Sequence, residues 1–234
     1  MTPSPSARLS YGDFEIAIKA FLDQVNGHVP WTFFEYKEPR STSRRGYLAL
    51  NLLQHTYKAT DTENDEENLS PNTDAGMLDS LASIGDDLEE EEDESQLSLS
   101  RDGAHDEFLS VSYHIVFSPS YRVPVLYFNA FTSDSTTPVG LDHIYHSLVP
   151  HEWRDTVRNS GLSGGISQQD HPIFNIPYYY MHPCETVSLM ETVLAANPDR
   201  FETQEAFLKS YITAWLSFTG QAIGLSLPVE IARE

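Results

Sequence analysis

The chain has 234 residues, a hydrophobic share of 40%, one cysteine and a formal net charge of −21. That length allows one large domain or two small ones; the single cysteine excludes an intramolecular disulfide framework and fits a reducing compartment; no apolar run reaches the roughly 18 residues of a membrane span. The acidity belongs to residues 61–107, where 18 Asp or Glu face one basic residue, Arg101; the other 187 residues carry only −4, so no basic excess is left for binding nucleic acid.

Residues 1–9, rich in Ser and Pro, read as a disordered tail. They lack the basic and then apolar regions of a secretory signal, so the cytoplasm is the expected compartment. A helix is expected from near Ser10 to Asn26-Gly27, because Phe14, Ala17, Ile18, Phe21, Leu22 and Val25 recur at helical spacing. Two strands follow, Trp31 to Tyr36 and Gly46 to Leu53, separated by the polar turn Pro39-Arg40-Ser41-Thr42. Residues 58–108 are low in complexity and acidic, with few aromatics. Such a stretch buries too little apolar surface to offset its ordering entropy, and its like charges extend it. It is expected to be a disordered insertion in one domain covering 10–234, because the piece before it is too small to fold alone.

Beyond the insertion, Ser110 to Phe117 and Tyr121 to Ala130 form an expected antiparallel hairpin around Ser118-Pro119-Ser120. Pro124 points to an edge or a bulge. A short helix is expected over Leu141 to Leu148, and a loop containing Gly161, Gly164 and Gly165 over 151–172. An aromatic strand runs from Ile176 to Met181, and helices follow over Val187–Ala196 and from Glu202 to about Phe218. Helix, antiparallel meander, loop and helices together read as an α+β fold.

The chemistry gathers around Cys184. It follows the aromatic strand across a His182-Pro183 turn and precedes a helix, with Thr186 or a Ser188/Glu191 capping box as the expected start. Either cap leaves Cys184 just outside a helix N-terminus, where the partial positive charge favours negative charge on sulfur. His182 is close enough in sequence to hydrogen-bond near the reaction centre. The plainer reading is a turn in which Cys184 packs inward as a small hydrophobe. Asp170-His171 with Cys184 suggests a Cys-His-Asp hydrolase, but the local signatures of known cysteine hydrolases are absent. His171, His182 and Cys184 make a poor zinc set, because structural zinc usually takes several cysteines. No metal or cofactor is expected.

Four ordered pieces resemble the autophagy-related protein 10 family, the ubiquitin-like-conjugating enzymes of autophagy. They are His114-Ile115-Val116 to Tyr121-Arg122-Val123-Pro124-Val125-Leu126-Tyr127-Phe128, then Gln168-Gln169-Asp170-His171-Pro172, then His182-Pro183-Cys184-Glu185-Thr186, and finally Tyr211 to Ser217 with Gly224-Leu225-Ser226-Leu227-Pro228. A looser likeness covers Phe21 to Trp31 and Gly46-Tyr47-Leu48. The resemblance implies a variant ubiquitin-conjugating-enzyme fold: an antiparallel sheet flanked by helices, here with the long acidic insertion. It implies that autophagy-related protein 12, activated by autophagy-related protein 7, is passed to Cys184 as a thioester and then to a lysine of autophagy-related protein 5. It also implies recruitment to the site of autophagosome assembly. By position, Cys184 matches the acceptor thiol, His182 the residue two before it, and Tyr121 a strand tyrosine near the site. The alternatives are a cysteine hydrolase using Cys184 with His171 or His182, and a non-catalytic interaction module.

Overall fold

A computed structural model describes residues 4–37, 44–56, 108–133, 135–159 and 165–232. The first helix, α1 (Tyr11–Val25), begins at Ser10, whose hydroxyl accepts from the Asp13 amide while the Asp13 carboxylate accepts from the Ser10 amide. This reciprocal cap fixes the start that the apolar spacing implied. Its buried stripe of Phe14, Ala17, Ile18, Phe21 and Val25 faces the sheet. Gly27, at φ 81°, turns the chain away after it.

Six strands form one antiparallel sheet: β1 (Thr32–Lys37), β2 (Arg44–His55), β3 (Phe108–Ser118), β4 (Val123–Phe131), β5 (Ile166–Asp170) and β6 (Pro177–Met181), in the order β1-β2-β3-β4-β6-β5. Along β1, Phe33 lies across Gly46 so closely that a Cβ there would fall 2.0 Å from the ring. Glycine is therefore the residue that lets this aromatic cross β2. The expected insertion 58–108 lies outside the described residues except for Phe108, which opens β3. Its two ends meet, since His55 of β2 pairs with Phe108.

Alternation along β3 divides the molecule into two layers. Leu109, Val111, Tyr113 and Ile115 point into the main core with α1, Leu48, Leu50, Leu126, Phe128, Tyr211 and Trp215. Val116, on the other face, packs into a smaller cluster with Tyr47, Val125, Tyr127 and Tyr178. The main core is closed by α2 (Leu141–Ser147), α3 (His151–Asn159), α4 (Thr186–Ala196), α5 (Gln204–Thr219) and a short α6 (Val229–Ala232). Helices α1 and α5 are also tied by polar contacts: the Thr213 hydroxyl donates to Gln24 Oε1 at 2.5 Å and the Gln24 amide to the Lys209 carbonyl at 3.0 Å. No helix among the described residues is long and apolar enough to cross a membrane.

Three expectations about the N-terminal segment and the helices and strands around the site need correction here, and two about site residues follow below. Residues 4–9 are not a loose tail. Ala7 and Leu9 are buried, the Leu9 amide donates to the Arg122 carbonyl and the Tyr211 hydroxyl to the Ala7 carbonyl. Two apolar residues among Ser and Pro suffice to anchor the segment once a core is there to receive them. The stretch 151–172 is not one loop, because it contains α3 and β5. Only Trp153 and Val157 give α3 an apolar face, and β5 is held by backbone pairing with β6 despite its polar sequence. The start of α4 uses neither expected cap: Glu185 is the N-cap, without a side-chain bond.

Candidate active site

Strand β6 delivers the chain to His182. Backbone pairing continues to this point, where the His182 amide donates to the Gly165 carbonyl at 3.2 Å. Pro183, Cys184 and Glu185 then form one tight helical turn that runs directly into α4. Proline opens that turn at no cost in backbone hydrogen bonds, since a first-turn N–H would lack a partner anyway. Cys184, partly exposed, stands in this turn with the amino end of α4 immediately behind it. The expected placement of the thiol at a helix start is therefore met, and the turn that carries it has a cap of its own, distinct from Glu185 at α4.

That cap is His182. Its Nδ1 accepts from the Cys184 amide at 3.3 Å. A neutral ring that accepts through Nδ1 carries its proton on Nε2. The ring is fixed by two tyrosines: Tyr121 meets it edge-on at 5.7 Å and 81°, and Tyr180 lies tilted at 5.9 Å. Tyr121, His182 and Cys184, three residues separated by up to 63 positions in the chain, thus belong to one constellation.

Tyr121 is not on a strand, contrary to the expectation. It sits in the β3–β4 turn, because the next residue, Arg122, takes the left-handed conformation (φ 59°) and interrupts the extended chain. A non-glycine residue pays for that conformation and keeps it only when its surroundings hold it. Here the Arg122 amide donates to the Ser118 carbonyl at 2.7 Å, the Leu9 amide to the Arg122 carbonyl at 2.8 Å, and Arg122 Nε back to the Leu9 carbonyl at 3.3 Å. The N-terminal segment thereby clamps the turn that presents Tyr121. Nothing in the sequence pattern pairs Leu9 with Arg122.

His171 is elsewhere. Fully buried on the smaller-cluster side of the sheet, it lies among Tyr127, Phe174, Tyr178 and His114. Its Nδ1 accepts from the amides of Ile173 and Phe174 at 3.2 and 3.4 Å, so its proton is on Nε2, which donates to His114 Nδ1 at 3.2 Å. His114 in turn faces the Ser112 hydroxyl through Nε2 at 3.3 Å. Both rings are held neutral: burial lowers His114 to about 4, and burial together with the adjacent His114 lowers His171 to about 3. With both nitrogens committed, His171 serves neither Cys184 nor Asp170, and the Asp170-His171-Cys184 arrangement does not form. Among the described residues no group of three or more His, Cys, Asp or Glu is placed to hold a metal ion.

Residues 13–230 match the family described as autophagocytosis associated protein, active-site domain. This chain belongs to that family, in its ATG10 branch. It is 37% identical over 130 residues to the human protein named ubiquitin-like-conjugating enzyme ATG10, covering 56% of each. It is 32% identical over 149 residues to the protein of that name from Gibberella zeae, covering 63% of this chain and 59% of the relative. With the protein of that name from Arabidopsis thaliana the identity is 28% over 234 residues, covering 96% and 95%. The matched stretch therefore spans little more than half the length of the human and Gibberella relatives and nearly all of the Arabidopsis one. The family likeness includes the His182–Thr186 turn and the β3–β4 hairpin, which the fold brings together.

Proposed function

We propose that this chain is a ubiquitin-like-conjugating enzyme of autophagy. Cys184 accepts autophagy-related protein 12 from the activating enzyme, autophagy-related protein 7, and passes it to a lysine of autophagy-related protein 5. The work is done in the cytoplasm, at the site where the autophagosome assembles. The observation that carries this reading is the position of the one cysteine, in a turn capped by His182 with Tyr121 against the ring, in a member of this family.

The geometry suits acyl transfer. In the first step the Cys184 thiolate attacks the carbonyl of the incoming thioester, the new C–S bond forms and the activating enzyme's thiolate leaves. In the second, a neutral lysine amine attacks the Cys184 thioester. Negative charge develops on the carbonyl oxygen, the C–N bond forms, the C–S bond breaks and the amine loses its proton to solvent. The Nε2–H of His182 and the Tyr121 hydroxyl are the donors for that oxygen. No strong base is required when the amine arrives deprotonated.

The same tautomer argues against hydrolysis. A ring that accepts the Cys184 amide through Nδ1 and carries hydrogen on Nε2 is a donor, and lacks the vacant nitrogen with which a hydrolase histidine deprotonates its thiol. Incubation with autophagy-related protein 12, the activating enzyme and ATP, followed by non-reducing electrophoresis, tests the proposal. A reductant-sensitive adduct that requires Cys184 supports it; absence of any adduct from a folded, charged reaction sinks it.

A further inference from the structure

The β3–β4 turn that presents Tyr121 holds a conformation that its own sequence does not favour. Among the described residues, two other than glycine take positive φ, Asn175 at 52° and Arg122 at 59°. Asparagine visits that region readily. Arginine has no short polar group to ease it, and such outliers persist where the surroundings overrule local preference, clustering at functional sites. For Arg122 those surroundings are the N-terminal segment. The Arg122 carbonyl accepts from the Leu9 amide at 2.8 Å, and Arg122 Nε donates to the Leu9 carbonyl at 3.3 Å. The segment is in turn anchored to α5. The Tyr211 hydroxyl donates to the Ala7 carbonyl at 2.8 Å, and the Gln204 side chain holds both the amide and the carbonyl of Ser6, at 2.6 and 3.3 Å. Tyr121 has no such anchorage of its own. It is 41% exposed, and the one ring it meets among the described residues is that of His182. The direction of its hydroxyl therefore depends on the backbone that carries it.

We infer that Arg122 is a positioning residue for transfer: the two-way bridge between Arg122 and Leu9 ties the β3–β4 turn to α5 through the N-terminal segment, and so holds the Tyr121 hydroxyl where the oxyanion develops. The inference rests on the donor role proposed for Tyr121. Arg122 acts through Tyr121 and not on the reacting atoms. In the step it serves, the lysine nitrogen bonds to the thioester carbonyl carbon, the C–S bond breaks, Cys184 leaves as the thiolate and the amine proton passes to solvent. The carbonyl oxygen carries its charge only between bond formation and bond cleavage. A donor displaced by about an ångström then forfeits much of its effect, because stabilisation of that charge depends on a donor already in place.

A double-mutant cycle on the full chain tests this. The Cys184 thioester of autophagy-related protein 12 is formed first, and its transfer to autophagy-related protein 5 is followed in a single turnover. Arg122→Gly keeps the left-handed turn without steric strain and removes the guanidinium; the position is exposed, so no hole is opened in the core. Transfer is expected to slow roughly three- to tenfold, with the melting temperature close to the parent's. Arg122→Asn, which also takes that conformation and lacks the guanidinium, is expected to do the same. In a Tyr121→Phe chain, already slowed, adding Arg122→Gly is expected to slow transfer by less than about twofold more, because the hydroxyl it positions is gone. Parent-like transfer by both Arg122 variants overturns the positioning role and leaves Tyr121 as a donor. So does the same fold loss in the tyrosine and phenylalanine backgrounds, as lost docking of the substrate would give. Parent-like transfer by Tyr121→Phe overturns the donor reading and this inference together.

Discussion

His171 and His182 bracket the same strand, β6, yet the fold treats the two rings in opposite ways. His171 is sealed: it is 0% exposed, one nitrogen accepts two backbone amides and the other donates to His114. His182 is partly exposed, spends one nitrogen on the Cys184 amide and packs its ring against two tyrosines. The first histidine has every polar group engaged inside an aromatic cluster, which specifies packing and leaves nothing for a substrate. The second stands partly exposed beside Cys184, where the proposed transfer calls for a donor. An imidazole becomes structural or chemical according to which of its nitrogens the backbone occupies and how much water it sees.

The strongest way to break this comparison is at the thiol beside His182. Cys184→Ala is expected to abolish the adduct with autophagy-related protein 12, and Cys184→Ser to leave at most an oxyester that survives reductant; gel analysis with and without reductant checks both. A serine variant charged as a reducible adduct would sink the thioester reading.

On the sealed side, His171→Ala leaves a cavity, orphans the Ile173 and Phe174 amides and removes the partner of His114. A loss of about 3 kcal/mol or more is expected in urea denaturation. Thioester formation on Cys184 should persist at temperatures where the variant remains folded. If His171→Ala is as stable as the parent chain but cannot be charged, the division into structural and chemical histidines is wrong.

On the open side, an oxyanion donor in a dry site is worth about 2.7–4 kcal/mol. Tyr121 is 41% exposed, so a smaller effect is expected here. His182→Ala and Tyr121→Phe should each slow discharge of the Cys184 thioester to lysine roughly ten- to a hundredfold, with charging little changed and the melting temperature nearly constant. Single-turnover discharge separates the two steps. Parent-like discharge in both variants would return these side chains to a purely structural role.

Acid sharpens the contrast further. The ordinary histidine value of about 6.5 applies to the unfolded chain, whereas His114 is lowered to about 4 and His171 to about 3 in the fold. Between pH 6.5 and 4 the unfolded state therefore binds protons that the folded state refuses, and stability falls as pH is lowered through that window. The urea midpoint should drop from pH 7.5 to pH 5. The drop should be smaller in His114→Gln/His171→Gln than in the parent.

The smallest effect is expected from removing the acidic stretch. His55 pairs with Phe108, so the ends of the insertion already lie side by side, and closure entropy changes slowly with loop length. Deleting residues 62–105 should change stability by about 1 kcal/mol and leave Cys184 chargeable. A thermal melt and the charging assay check this. Intact melting with failed conjugation would assign the segment to partner recruitment.

Much of this was legible in the chain itself, because local physics leaves periodic marks. The α1 stripe from Phe14 to Val25 and its Ser10 start, the alternation of β3, and the strand–turn–helix sequence around Cys184 all depend on neighbours within a few residues. The polar sequences of α3 and β5 concealed their structure, since α3 shows only two apolar residues and β5 relies on backbone pairing supplied by β6. Tertiary structure alone decided which histidine stands beside the thiol. Sequence proximity offered His182 and, more weakly, an Asp-His pair; the β5–β6 hairpin turns His171 onto the face of the sheet that carries His114 and Tyr127. It also decided that Leu9 clamps Arg122 and that Tyr121 thereby meets His182, contacts between residues so distant in the chain that no periodicity or spacing records them. Local hydrogen bonding and burial are written in the order of residues, whereas the partners of a side chain are set only when the sheet is assembled and its faces are covered.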